Sequence, residues 1–191
     1  NQDRVGLKHP AWGRLWENEQ HLDTDILMKN NYLNPSMEAE FGVKLSRDIN
    51  KDNFSLEHLI NSIETVHPII EIHNFVFYGD PPHGPELLAN NAIHAGVVQG
   101  EGIKNLTWDE KTDLKLIYNG KIVDSWFDKK WSQDMPSDIE WLLNELDKIN
   151  KYLKKGDLIL IGAFGPPIPI NENELIEVTS SLVGNVSANF L

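Results

Sequence analysis

The sequence contains no cysteine. That excludes a disulfide framework, a zinc ribbon and a thiol nucleophile. Basic residues are also scarce: 17 Lys and Arg stand against 29 Asp and Glu, a formal net charge of -12 over 191 residues. Such a chain lacks the cations that neutralise duplex phosphates, so nucleic acid is excluded as an expected partner. No apolar run approaches the roughly 18 to 20 residues of a membrane-spanning helix, and no membrane partner is expected. GxSxG, P-loop, GxGxxG and HExxH patterns are all missing, which leaves a hydrolase elbow, a nucleotide cradle and a zincin helix without support. What remains is ordinary globular composition, 40% hydrophobic and 24% charged, without repeat, low-complexity tract or Ser/Gly linker. Residues 1–191 read as one domain.

The elements expected are mostly strands. Met37 to Leu45 alternates apolar and polar residues with period two, the pattern of a half-buried strand. Asn53 to Thr65 carries Leu56, Leu59, Ile60 and Ile63 at helical spacing, with Asn53 or Ser55 as cap and Pro68 as terminator. Ile69 to Phe77 and Ala95 to Gln99 are further strands. Asn119-Gly120 joins two more in a hairpin with a type I′ turn. Ser137-Asp138-Ile139-Glu140 reads as a capping box opening a helix to about Lys154, closed by Gly156. Three strands follow: Leu158 to Ala163, Leu175 to Ser180 and Leu182 to Phe190. The N-terminal stretch reads as loop with one strand near Asp25 to Lys29. Seven or eight clustered strands and two main helices give an α+β, β-rich class built on a folded or barrel-like mixed sheet, rather than a doubly wound parallel one.

Three glutamates and two loops could carry chemistry. Glu38 and Glu40 leave one face of a strand about 7 Å apart at the backbone. Two like charges so placed are either solvated or bridged by a cation, and carboxylate oxygens suit Mg²⁺ or Mn²⁺. Glu71 interrupts an apolar strand, where it needs a cation, several donors or a salt bridge. Asn90-Asn91 could bind a carboxylate or form an Asx turn. Gly162-Ala163-Phe164 could bring backbone N–H groups close to a ligand or simply end a strand. Of seven histidines, only His73 and His94 fall near these elements. The six tryptophans are expected to pack in the core.

Taken in order, the pieces resemble a known family. They are Pro10-Ala11-Trp12-Gly13-Arg14-Leu15, Met37-Glu38-Ala39-Glu40-Phe41 with Leu45-Ser46-Arg47-Asp48-Ile49, and Pro68-Ile69-Ile70-Glu71-Ile72. Ala89-Asn90-Asn91-Ala92 and Leu153 to Ala163 complete the series. This is similar to the 2-keto-4-pentenoate (2-hydroxypenta-2,4-dienoate) hydratase / 4-oxalocrotonate decarboxylase family of the fumarylacetoacetate hydrolase superfamily. The resemblance implies a cytoplasmic, homo-oligomeric lyase of aromatic catabolism, acting on a small-molecule 2-oxo or 2-hydroxydienoate acid. It implies Mg²⁺ (or Mn²⁺) on Glu38, Glu40 and Glu71, with Asn90, Asn91, Gly162, Ala163 and Phe164 near the substrate. Hydration is the leading reaction; decarboxylation and non-catalytic oxo-acid binding are the alternatives. The family's catalytic lysine is expected upstream of Asn1, on an N-terminal segment that this sequence is expected to lack; His73 is a further catalytic candidate. Where the family has Asp-Asn, this chain reads Asn90-Asn91.

Overall fold

The computed structural model describes residues 6–80 and 82–191, so Asn1, before which the family lysine is expected, lies outside the described residues. Along them run β1 (Gln20–Leu22), β2 (Asp25–Leu27), β3 (Pro35–Leu45), α1 (Leu56–Ser62), β4 (Ile63–Asn74), α2 (Pro85–Ala89) and β5 (His94–Gln99). The C-terminal half adds β6 (Lys111–Tyr118), β7 (Lys121–Lys130), α3 (Met135–Asp147), β8 (Leu158–Leu160), β9 (Ile168–Pro169), β10 (Glu174–Ser180) and β11 (Gly184–Phe190). The class is the expected α+β, arranged as two mixed sheets. One has the order β1-β5-β4-β3-β8 with β9 also against β3; the other has β2-β11-β10-β6-β7. Pairs β1–β5 and β2–β11 are parallel and the rest antiparallel. No helix among the described residues is long and apolar enough to cross a membrane.

The period-two pattern of β3 decides where the core lies. Met37, Ala39, Phe41, Val43 and Leu45 are sealed from solvent, together with Ile70 and Ile72 of β4. They share one cluster with Leu114 and Leu116 of β6, Ile176 and Val178 of β10, and Val186, Ala188 and Phe190 of β11. Each such burial contributes about 1.5–3 kcal/mol, and together they fix the face that β3 turns inward. Its other face, bearing Glu38 and Glu40, is thereby fixed as well. α3 adds Met135, Ile139, Leu143 and Leu146, spaced along one helical stripe, to the same cluster.

Several sequence expectations need correction. The first helix is shorter than its periodicity suggests: Ser55 caps it through the His58 N–H, and Ile63 already belongs to β4. Pro68 does not end that helix but lies inside β4, opposite Phe41. Its carbonyl accepts from the Gly100 N–H just beyond β5, so the missing proline donor faces the end of a neighbouring strand, where it costs least. α3 starts before the expected capping box, with Pro136 in its first turn, where no N–H is required. Ser137 donates back to the Asp134 carbonyl instead of capping. The helix stops at Asp147 because Asn150 turns left-handed (φ 54°) and the Lys151 N–H returns to Leu146. The Asn119-Gly120 turn does have positive φ at both central residues (46° and 75°), as type I′ demands.

Candidate metal centre

In the β3–β4 ladder Glu38 pairs with Glu71, Ser36 with His73 and Glu40 with Ile69. Directly opposed residues share a face, and residues two apart on one strand share it too. Ser36, Glu38, Glu40, Glu71 and His73 are therefore brought to one patch by register alone. A shift in the β4–β5 ladder after Ile72 sets His94 opposite His73. The chain reaches His94 through Asn91, Ala92 and Ile93, all left-handed with φ of 50°, 58° and 59°. That conformation costs a residue with a Cβ about 1–2 kcal/mol, and Ile93 is β-branched. Its side chain is held by an apolar cluster with Leu7 and Leu87, which stabilises the turn that delivers His94.

The contacts within the patch are short. His73 Nε2 donates to Glu38 Oε2 at 3.0 Å and lies 3.7 Å from Glu71 Oε2. His94 Nδ1 donates to Glu71 Oε1 at 2.7 Å, while its Nε2 is 3.9 Å from Glu19 Oε2. Glu40 is only 3% exposed, and its Oε2 has no hydrogen-bond partner among the described residues. Burial pushes the Glu40 carboxyl well above its ordinary value, and the charges of Glu71 and Glu38 push the same way; the Gly162 backbone N–H pulls slightly against them. The neutral form of Glu40 is thereby favoured, and its carboxyl is hydrogen-bonded to that of Glu71. Burial alone would raise Glu71 too, yet the hydrogen bond from His94 and the nearby His73 hold it below the usual range. For His73 burial opposes the charge, but Glu38 and Glu71 more than offset it and its pKa rises.

An orphaned buried carboxylate oxygen beside two more carboxylates is a set of groups short of one cation. One ligand atom each from Glu38, Glu71 and His73 lies within 4.8 Å of the others. Oxygen-rich donors of this kind suit a divalent ion, so the residues present fit the metal that the sequence pattern suggests.

The remaining expected residues divide. Gly162 reaches Glu40, since β8 runs beside β3 and the chain then bends at Gly162 (φ 96°). Asn90 closes α2 and is half-buried, as is Ala163. Asn91 ties two distant segments together. Its amide oxygen accepts from the Arg14 N–H at 2.7 Å, and its nitrogen donates to the Arg14 carbonyl at 2.8 Å. Phe164 turns its ring to Phe41, edge-on at 5.7 Å, on the opposite face of β3 from Glu40. Ser36 was not among the candidates, although its place two residues before Glu38 marks the same face. Its hydroxyl is buried with no partner among the described residues, beside a cavity of about 440 Å³ that is also lined by Phe75, Phe77 and Pro169.

No protein-family model matches the chain. Curated relatives do. TodF product hydratase from Pseudomonas putida strain F1 is 25% identical over 191 residues, covering 99% of this chain and 71% of the relative. 2-Keto-4-pentenoate hydratase 2 from Dechloromonas aromatica strain RCB is 26% identical over 191 residues, covering 99% and 73%. In sequence the chain resembles the 2-keto-4-pentenoate hydratases. A solved structure shares the fold. The solved 4-oxalocrotonate decarboxylase from Pseudomonas putida G7, complexed with magnesium and adipate, superposes with a TM-score of 0.89 at 20% identity, covering all of this chain and 73% of that one. The two-sheet α+β frame that brings Glu38, Glu40 and Glu71 together is thus one that the solved decarboxylase shares.

Proposed function

We propose that the protein is a metal-dependent lyase for a small 2-oxo or 2-hydroxydienoate acid, and that its reaction is hydration of 2-hydroxypenta-2,4-dienoate to 4-hydroxy-2-oxopentanoate. The observation that carries this reading is the convergence of Glu38, Glu40 and Glu71 on one buried face, with Glu40 left short of a partner among the described residues. The hydratase names of the curated relatives support the choice of reaction. Mg²⁺, or Mn²⁺ in its place, would be held by these three carboxylates and would supply Lewis-acid chemistry toward the carboxylate and 2-oxo oxygens of the acid.

The chain's own groups do the rest. Without the ion, His73 and His94 each donate to one oxygen, of Glu38 and of Glu71, and so fix how the two carboxylates face the patch. Burial and the neighbouring carboxylates favour the neutral form of Glu40, and a bound cation would favour the ionised one. Burial of the patch excludes bulk water and so strengthens every charge interaction inside it. The resemblance would set Asn90, Asn91, Gly162, Ala163 and Phe164 near the acid, and the cavity lined by Ser36, Phe75 and Phe77 offers space for its tail.

The test is loss of dienoate absorbance with Mg²⁺ or Mn²⁺ present and with the metal chelated. Turnover that needs the metal and disappears in Glu38→Gln supports the proposal. If the metal-loaded protein leaves the dienoate untouched and instead releases CO₂ from a 4-oxalocrotonate-like diacid, the decarboxylase reading replaces it. Binding of a 2-oxo acid with no turnover of either substrate leaves the non-catalytic reading.

A further inference from the structure

We propose that His73 is itself a metal ligand, so that the centre is a mixed carboxylate–imidazole site that favours Mn²⁺ or another borderline ion over Mg²⁺. The inference rests on the metal reading above but goes beyond its three carboxylates. The geometry carries it. His73 Nε2 lies 3.0 Å from Glu38 Oε2 and 3.7 Å from Glu71 Oε2, and one ligand atom from each of the three residues lies within 4.8 Å of the others. Two neighbouring ligands about 2.1 Å from a six-coordinate ion are themselves about 3 Å apart. The imidazole nitrogen thus already stands at a ligand's distance from the carboxylate oxygens around it.

Position in the sheet gives a second, independent reason. His73 projects from β4 two residues after Glu71, so both side chains leave the same face, and its partner across the ladder is Ser36, too short to reach the patch centre. The ring is almost fully enclosed, with 8% of its side chain exposed, and it has no freedom to swing to solvent. A cation entering between Glu38 and Glu71 meets that nitrogen, which would give up its proton on binding. His94 differs. It reaches only Glu71, through Nδ1 at 2.7 Å, and its Nε2 lies toward Glu19 at 3.9 Å, whereas His73 Nε2 faces Glu38 and Glu71 together; His94 thus has the arrangement of a residue that orients a ligand without being one.

The consequence is selectivity. Imidazole suits ions such as Fe²⁺, Ni²⁺ and Zn²⁺, and Mn²⁺, at the start of the same transition-metal series, accepts a nitrogen more readily than Mg²⁺, which prefers an all-oxygen shell. Four protein donors also leave only two positions of a six-coordinate ion, as many as a 2-oxo acid needs for its carboxylate and oxo oxygens.

Pulsed EPR on the full chain loaded with Mn²⁺ tests the assignment, with the histidines in natural abundance and then labelled with ¹⁵N. The expected spectrum shows a directly bound nitrogen that changes with the label, is lost in His73→Gln and persists in His94→Gln. In competition, the preference for Mn²⁺ over Mg²⁺ should fall about tenfold in His73→Gln. Mn²⁺ bound with no nitrogen coupling in the wild-type chain overturns the inference while leaving the three-carboxylate lyase reading intact. A nitrogen signal that vanishes in His94→Gln but not in His73→Gln overturns it as well. Failure of Mn²⁺ to bind at all removes both readings. Should His73→Gln not fold, the label-sensitive signal of the wild-type chain, compared with His94→Gln, still decides.

Discussion

Glu38 and Glu71 stand directly opposite each other in the antiparallel ladder of β3 and β4, and the His73 imidazole lies against both, 3.0 Å from one and 3.7 Å from the other. Like charges at paired positions destabilise a sheet unless something lies between them. Here the His73 imidazole does so on one side, its charged form favoured by both carboxylates, while burial and its neighbours' charges push Glu40 toward its neutral form. The fold therefore holds a charge arrangement that a divalent ion would complete, and the behaviour of single groups can be anticipated from it.

Glu40→Gln removes the carboxyl while keeping its shape. Without metal the variant should unfold at the same temperature as the wild-type chain or higher, because a group burdened by burial and two neighbouring charges is replaced by a neutral one. With Mg²⁺ or Mn²⁺ at about a hundred times its dissociation constant the order reverses, since bound ion stabilises the wild-type chain by about 2.7 kcal/mol and the variant far less. Thermal unfolding with and without the ion checks both halves.

Binding of the ion should release protons. Burial and the adjacent carboxylates hold the Glu40 pKa well above its usual value, and a metal requires the ionised form. Calorimetric titrations of Mg²⁺ in buffers of different ionisation enthalpy should give heats that vary with the buffer. Affinity should weaken as the pH falls. Buffer-independent heats would contradict the protonated state of Glu40.

His67 provides a pH dependence separate from the metal. It is buried, its Nδ1–H donates to the Gly100 carbonyl at 2.9 Å and its Nε2 accepts from the Thr65 hydroxyl at 2.7 Å. Burial lowers its pKa below 6.5; Gly100 works against this and Lys44 with it. A histidine kept neutral in the fold takes up fewer protons than the unfolded chain, so its contribution is present above about pH 6.5 and is lost as the pH falls toward the lowered value. Urea unfolding at about pH 7.5 and about pH 5.5 should show a loss for the wild-type chain that His67→Gln largely removes.

Ala92→Gly should stabilise the protein slightly. The residue is left-handed (φ 58°, ψ 31°) between two others that are the same. Relief of about 1–2 kcal/mol of backbone strain exceeds the roughly 0.5–1 kcal/mol of entropy that glycine loses on folding. A higher urea midpoint at unchanged slope is the expected result.

Much of this could be read along the chain because it depends on alternation. Met37 to Leu45 announces one apolar and one acidic face, and packing against β10 and β11 makes the acidic face of β3 turn the other way. The glutamates and the type I′ turn follow from such local rules. What lay beyond them depends on tertiary pairing. β1 and β9, three and two residues long, are too short to carry a period. Pro68 sits in a strand only because β5 ends beside it. The engagement of Asn91 with Arg14, 77 positions away, has no sequence signature. Nor has the left-handed turn that brings His94 to Glu71.

The functional reading turns on whether Glu38, Glu40 and Glu71 hold one divalent ion. A crystal structure grown with Mn²⁺ and phased on its anomalous signal tests this most directly. The expected result is a single strong peak on the β3–β4 face, within about 2.5 Å of a carboxylate oxygen from each of the three glutamates. A peak elsewhere, or saturating Mn²⁺ with none of the three carboxylates in contact, would contradict it.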